Sequence, residues 1–144
     1  MIEAGADGTP FGPGDARLVL SEGTPRFYIM PIPGRGLTVG GITRHRRVTQ
    51  TLAAVGGGTW VVAVAPPEGL DDPAAEPALA DIRAFRIPGD VAVMLHRGAW
   101  HAGPLFPEGE VRSFFNLELA DINLVDHRTC LLTDIYGMAL RLVG

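Results

Sequence analysis

The fold is decided by the stretch IPGDVAVMLHRGAWH, residues 87–101. It begins with a Pro-Gly turn and continues with an apolar run at residues 91–95, which is long enough for a buried strand and too short for a buried helix. His96 and His101 follow where the strand ends, and Gly98 allows the backbone to bend between them. The stretch therefore predicts a strand that brings two histidines to one end of a β-structure.

Short apolar or alternating runs, separated by glycine and proline, recur along the whole chain. We predict strands at residues 17–20, 26–30, 37–42, 51–55, 59–65, 84–87, 91–95 and 112–119. The runs at 51–55 and 59–65 flank three glycines, so we expect them to form a hairpin. Short strands at this spacing indicate an all-β sandwich or barrel.

The ends of the chain and one internal segment differ from this pattern. Residues 1–16 and 66–80 are rich in proline and acid, which predicts an irregular arm and a solvated loop. In the C-terminal extension, residues 121–144, apolar residues recur at helical spacing, and Asp126 is placed to cap a helix that packs outside the barrel. The threonine, isoleucine and tyrosine of this extension would also suit a strand. The length of 144 residues predicts a single domain, 1–144.

Composition excludes several classes of function. With 47% hydrophobic and 19% charged residues, the chain is globular. All 12 basic residues are arginine, so Schiff-base and pyridoxal phosphate mechanisms are excluded. The net charge of −4 argues against nucleic acid as a partner. We expect no signal peptide and no membrane span. The single cysteine, Cys130, cannot form an internal disulfide, which favours a reducing cytoplasm.

Two sequence motifs resemble those of the cupin β-barrels. Gly-Asp, a hydrophobic strand and Gly-x-x-His resemble the second cupin motif, whose final histidine is a metal ligand and corresponds to His101. The first cupin motif has two histidines, a glutamate and, after six intervening residues, a glycine, which corresponds to Gly57. Its positions are occupied here by Thr43, His45 and Gln50. The resemblance implies an antiparallel cupin-type barrel, a double-stranded β-helix or jelly roll, with a degraded metal set to which His96 could contribute.

A more specific resemblance covers residues 27–118. Arg-His-x4-Gln before a strand, Val-Ala-Pro after the next one, and His-Arg-x-x-Trp-His are similar to motifs of the ureidoglycolate lyase family. Members of that family are cupins that split ureidoglycolate into glyoxylate and urea, the last step of allantoin use. The resemblance implies a lyase with a carboxylate-bearing small-molecule substrate and a divalent metal (Ni, Zn, Mn or Fe). The matching pieces are Arg44-His45, Gln50, Val64-Ala65-Pro66, His96–His101 and Pro104-Leu105.

This chemistry needs groups that move protons. A base removes the hydroxyl proton of the substrate, the C–N bond breaks, and an acid protonates the departing nitrogen, tasks for which histidine suits neutral pH. A divalent cation could instead hold the substrate and acidify its hydroxyl. On the resemblance, we assign catalytic roles to His96, His101 and Glu118. Alternation along the strand 112–119 directs Glu118 inward. The metal ligands are assigned to His45, Gln50 and His101.

An arginine suits the substrate carboxylate, because a guanidinium binds it in a bidentate manner. Candidates come from Arg44, Arg46 and Arg47, a run that in many proteins is only a solvated face. Alternation places His45 and Arg47 on the same side of a strand, so Arg47 is the better clamp. We assign substrate binding to Arg47, Arg44 and Gln50.

Three functions remain open at the level of sequence. The first is a lyase of the ureidoglycolate type. The second is a binding or sensor module derived from a cupin that lost its metal. Thr43 and Gln50 keep this alternative open, because they stand in place of stronger metal ligands. The third is another reaction on a small hydroxy- or keto-acid. We expect a homodimer, because small barrels leave edge strands that need cover. His127 is interpreted as a surface or capping residue.

Overall fold

The computed structural model describes residues 11–12 and 14–143, and within that range the chain is built almost entirely of strands. The predicted irregular arm lies largely outside it. The strands are β1 (Pro25–Pro33), β2 (Thr38–Val39), β3 (Gly41–Arg44), β4 (Gln50–Ala54), β5 (Gly57–Ala65), β6 (Arg83–Gly89), β7 (Ala92–Leu95), β8 (Trp100–Leu105), β9 (Val111–Leu119), β10 (Arg128–Leu131) and β11 (Leu140–Arg141). The helices are α1 (Ile122–Val125) and α2 (Leu132–Tyr136), and a 3-10 turn spans Leu79–Asp81.

Two antiparallel sheets carry the fold. One has the order β1-β9-β4-β7 and the other the order β10-β3-β8-β5-β6, while β11 and β2 form a small ribbon. Consecutive strands are divided between the two sheets, so the chain crosses repeatedly from one to the other. The prediction of an all-β, cupin-type antiparallel fold is confirmed.

The alternation of β5 separates two apolar clusters. Val62 packs between the sheets with Leu52 of β4, Phe106 and Phe114. Ala63 points to the other face of the five-stranded sheet, where it joins a cluster that includes Trp100, Cys130 and Leu132. The members of the second cluster belong to the five-stranded sheet, its flanks and the C-terminal extension. The extension therefore covers the outer face of that sheet, while the space between the sheets holds a core and a cavity.

Two predictions about strands are wrong. β4 and β5 do not form a hairpin, because β4 pairs with β7 and β9 whereas β5 pairs with β6 and β8. Gly56 and Gly57 adopt φ values of 88° and 81°, which few other residues tolerate, and this turn carries the chain between the sheets. Residues 17–20 run alongside Thr49 without forming a strand.

The predicted C-terminal helix is reduced to the single turn of α2, flanked by the short strands β10 and β11. Pairing of β10 with β3 and of β11 with β2 overrides the helical spacing of the apolar residues. Asp126 does not start a helix. It follows the end of α1 instead.

None of the helices in the described part of the chain has both the length and the hydrophobicity needed to span a membrane.

Candidate active site

A cavity of about 370 Å³ lies between the two sheets. Its volume is near the lower end of the range for small-molecule pockets, about 300–1,000 Å³. Strands β1, β4 and β9 of one sheet line it, together with β3, β8 and the segments around β2. Its polar lining side chains include Tyr28, Arg35, Gln50, Asn116, Glu118 and three histidines, His45, His101 and His127. Polar groups inside an otherwise apolar barrel mark this cavity as the candidate active site.

His45 and His101 face each other in this cavity, with their ring centroids 5.6 Å apart. His45 follows the last residue of β3, and its Nδ1 lies 2.7 Å from the carbonyl oxygen of Asp126. His101 lies on β8, and its Nδ1 is 3.2 Å from the carbonyl oxygen of Ala99. A carbonyl only accepts hydrogen bonds, so Nδ1 carries the hydrogen in both rings. The Nε2 lone pair of each neutral ring is left free.

Both imidazoles are held in the neutral form at pH 7. Burial, together with the smaller effect of the neighbouring His45, lowers the pKa of His101 to about 4. Burial also lowers the pKa of His45, although the hydrogen bond to Asp126 and the charge of Glu118 oppose that shift. Desolvation disfavours a charged imidazolium, so each ring offers a lone pair to a proton donor.

A buried carboxylate lies at the same end of the cavity. Glu118 is only 3% exposed, and its two oxygens accept hydrogen bonds from the Tyr28 hydroxyl at 3.0 Å and from Gln50 Nε2 at 3.2 Å. Asn116 closes the network, because its Nδ2 donates to the Tyr28 hydroxyl and its Oδ1 accepts from Gln50 Nε2, both at 3.1 Å. No cation forms an ion pair with Glu118 within the described residues. Burial of a carboxylate without a paired cation costs folding free energy. Groups of this kind are found preferentially at functional sites.

The alternation of β9 and β1 builds this network. Asn116 and Glu118 point inward from β9 while Phe115 is exposed, as the period-two pattern predicts. On β1, Tyr28 is half-buried between the exposed Phe27 and Ile29. Sequence analysis missed Tyr28, although the same period applied to this run would have turned it inward.

His127 is exposed, as expected of a surface residue, and it also lines the cavity. Its ring centroid is 5.4 Å from that of His45, and its Nε2 lies 3.0 Å from the Thr129 hydroxyl. The sequence motifs gave no signal for this residue, because they end before the C-terminal extension. Arg35 is a further lining residue that sequence analysis missed.

His96 does not converge with the other predicted site residues, and that prediction is wrong. Its side chain is exposed and lies outside the cavity lining. β7 ends at Leu95, and His96 opens a turn in which its carbonyl accepts a hydrogen bond from the Ala99 amide at 3.1 Å. The turn reverses the chain into β8, so only His101 returns to the interior.

Arg44 and Arg47, the predicted substrate contacts, also lie outside the cavity lining. Arg44 is fully buried on the opposite side of β3, where its guanidinium donates to the carbonyls of Glu68, Gly69 and Asp72. Arg47 is exposed, with Nε 3.9 Å from Glu22 Oε2. Alternation failed to predict the position of Arg47 because β3 ends at Arg44 and the following residues are irregular.

The donor set does not by itself fit a divalent metal. His45 and His101 offer two free imidazole nitrogens whose second nitrogens are fixed by carbonyls, the usual second shell of a metal ligand. However, the described residues hold no group of three histidine, cysteine, aspartate or glutamate side chains that could bind a metal ion. Gln50 would be the third ligand, but its Nε2 is engaged with Asn116 and Glu118, and its Oε1 is buried without a partner in the described part of the chain.

Comparison with known protein families gives one finding. A family model described as "Ureidoglycolate lyase" matches residues 10–131, which is most of the chain and includes His127 and β10. The match therefore extends beyond residues 27–118, the range over which sequence motifs indicated a resemblance. Comparison with curated proteins gives no match.

Proposed function

We infer the function from one premise: the chain belongs to the ureidoglycolate lyase family. It is a lyase family, and the reaction is the splitting of ureidoglycolate into glyoxylate and urea. The observation that best supports this activity is the pair of neutral imidazoles that shares a cavity with a buried carboxylate. We propose that ureidoglycolate binds in this cavity and reacts there.

The reaction needs one proton removed and one returned. The central carbon of ureidoglycolate carries a hydroxyl, a carboxylate, a hydrogen and a urea nitrogen. A base takes the hydroxyl proton as the C=O bond of glyoxylate forms. The electron pair of the C–N bond leaves with the urea nitrogen, which takes up a proton. The proton count of the enzyme is unchanged after one turnover.

In this proposal Nε2 of His101 accepts the hydroxyl proton and then gives it to the departing nitrogen. The hydroxyl and the nitrogen share one carbon, so a single imidazole can reach both. Its low pKa, about 4, makes the transient imidazolium a strong acid for the second step. His45 supplies a second neutral acceptor beside it. Glu118, whose oxygens retain free lone pairs, accepts hydrogen bonds from the ureido N–H groups.

The test is a product assay. Purified protein is incubated with ureidoglycolate, and glyoxylate and urea are measured against the spontaneous rate. Both products should form in equal amounts above that rate. An unchanged spontaneous rate, with chelator and with added Ni, Zn, Mn or Fe, would contradict the lyase activity and favour the binding module.

Metal binding is a separate proposal, supported by the family resemblance and by the two free Nε2 atoms of His45 and His101. Gln50, water or the substrate would have to complete the ligand set. Elemental analysis of the purified protein, compared with a His45→Ala, His101→Ala double variant, decides this point. We expect bound metal to fall to background in the variant.

We also propose a homodimer, formed by the outer face of the four-stranded sheet. Phe27 is 69% exposed there and stacks on Phe115, with ring centroids 5.7 Å apart, and Ile29 is exposed beside them. Exposed apolar patches of this kind mark interfaces, and a two-fold dimer can bury one such patch on each copy. Sedimentation should show a dimer that Phe27→Glu dissociates and Phe85→Glu, on the other sheet, leaves intact.

A cytoplasmic location is proposed from the cysteine content. Cys130 is buried, and burial raises the pKa of its thiol, which keeps it protonated and unreactive. A chain with one such thiol cannot form an internal disulfide, so an oxidising compartment would not stabilise it. Fractionation of the cells that produce it tests this location.

A further inference from the structure

We propose that Arg35 binds the carboxylate of the substrate and so restricts the cavity to small carboxylates. The ureido half of the ligand is taken from the proposed function, on which this inference rests. The carboxylate half is argued from the loop that carries Arg35, from the shape of the cavity and from its charges.

The loop between β1 and β2 has a fixed backbone on both sides of Arg35, whose exposed side chain lines the cavity. Arg35 stands between Gly34 and Gly36, and the amides of both glycines donate to neighbouring carbonyls, of Glu110 at 2.8 Å and Phe106 at 3.0 Å. A Cβ at Gly34 would overlap the carbonyl oxygen of Pro107, and Gly36 has a φ of +73°. Both positions therefore need glycine, and the backbone of Arg35 is fixed on either side.

The cavity has two different ends. β1 runs from Tyr28 towards Arg35, and β8 runs from His101 towards Leu105, which lies next to the Phe106 carbonyl that holds the Arg35 loop. Four strand residues span about 13 Å at roughly 3.3 Å per residue. Apolar side chains, among them Met30, Ile32 and Leu105, line the cavity between these ends. A small ligand with two polar ends fits this arrangement.

Charge determines which end of the ligand goes where. Glu118 lies at the histidine end, and its carboxylate repels a second carboxylate. Of the arginines in the described residues, Arg35 alone lines the cavity. The carboxylate of the ligand is therefore drawn to Arg35, and the ureido group, which donates N–H hydrogen bonds, is directed to Glu118. This orientation leaves the carbinol carbon between them.

A binding experiment that needs no turnover tests this inference. The probes are oxalurate, in which a carbonyl replaces the carbinol of ureidoglycolate, and its neutral amide, oxaluramide. The variants are Arg35→Leu, Arg35→Lys and the control Arg86→Leu, which removes an exposed arginine of β6. Titration calorimetry gives the ratio of the two affinities, and a melting curve of each variant checks that it folds.

Wild type and Arg86→Leu should bind oxalurate about 10- to 100-fold more tightly than the amide, the usual worth of a charged hydrogen-bonded pair. Arg35→Leu should bring the ratio near one, and Arg35→Lys should restore part of it. A ratio near one in wild type, or an undiminished ratio in folded Arg35→Leu, would overturn the inference. Urea release is measured on the same preparations. Its absence, with the Arg35-dependent ratio intact, would overturn the lyase proposal alone.

Discussion

His45 and His101 lie with their rings 5.6 Å apart, and each is fixed through Nδ1 to a carbonyl of the main chain. Neither ring can turn its Nε2 away without breaking that hydrogen bond. Protonation of one ring raises the cost of protonating the other, because two imidazolium charges would lie side by side. The pair therefore acts as one unit that is neutral near pH 7 and accepts at most one additional proton.

His101→Ala should lower the turnover of ureidoglycolate by about 10²–10⁴-fold, the usual effect of removing a positioned acid–base group. His96→Ala is the matched control, because His96 is exposed and lies outside the cavity lining. It should retain wild-type turnover. Steady-state rates of glyoxylate formation measure both. A large loss in His96→Ala with little loss in His101→Ala would reverse the assignment made from the structure.

Tyr28→Phe should destabilise the protein by about 1–3 kcal/mol, since it leaves buried polar atoms of Glu118 and Asn116 without their partner. Turnover should also fall, because the Glu118 carboxylate loses one of the two hydrogen bonds that orient it. Tyr136→Phe is the control. It removes a hydroxyl that donates to the Pro77 carbonyl outside the cavity, so it should affect stability without affecting turnover. Urea denaturation and rate measurements separate the two effects.

Arg44→Met should destabilise the protein by about 2–4 kcal/mol, because three carbonyls of the loop after β5 lose their donor. It also removes the stacking of the guanidinium on Trp100, where Cζ lies 4.6 Å from the ring centroid. Arg47→Met should change stability by less than about 0.5 kcal/mol, since an exposed ion pair contributes little. Chemical denaturation measures both. Equal losses of stability in the two variants would show that the buried contacts of Arg44 do not stabilise the fold.

The stability of the fold should fall as the pH drops from 6.5 to about 4. An unfolded chain protonates His101 near its ordinary pKa of 6.5, whereas the folded chain resists protonation until about 4. Protons therefore favour the unfolded state in this window, and above 6.5 the effect vanishes. The loss is at most about 3 kcal/mol, reduced by the partial exposure of the ring.

Denaturation of wild type and His101→Ala at each pH, with a chelator present, checks this. The stability difference between wild type and variant should be largest above pH 6.5 and should shrink towards pH 4. A difference that stays constant across this window would contradict the expected titration of His101.

Local periodicity predicted much of the fold, whereas the resemblance to cupin motifs indicated three of the residues that line the cavity, His45, Gln50 and His101. The sequence placed strands close to the observed β4, β5, β7 and β9, and the inward turn of Glu118 followed from alternation along β9 alone. The predictions that failed concerned the pairing of strands, which depends on residues far apart in the sequence. The hairpin of β4 with β5 looked favourable from sequence separation, but β4 pairs with β7 and β9 in one sheet and β5 pairs with β6 and β8 in the other.

The predicted clamp failed for a different reason. Alternation applies only while a strand lasts, and β3 ends at Arg44, before His45 and Arg47. Arg35 carried no motif, because a residue flanked by two glycines in a loop is ordinary in sequence. Its position depends on the carbonyls that hold its neighbours, and these belong to residues about seventy positions away.

The hydrogen bond from His45 to the Asp126 carbonyl joins the site to a part of the chain that is translated late. The carboxylate of Asp126 also accepts a hydrogen bond from the Arg47 amide at 2.6 Å, so one residue anchors the segment that carries His45 twice. On the ribosome, every strand of the four-stranded sheet is complete once Leu119 has been added. His45 then still lacks its acceptor. The order of synthesis therefore leaves His45 without its acceptor until Asp126 has followed the last strand of the four-stranded sheet.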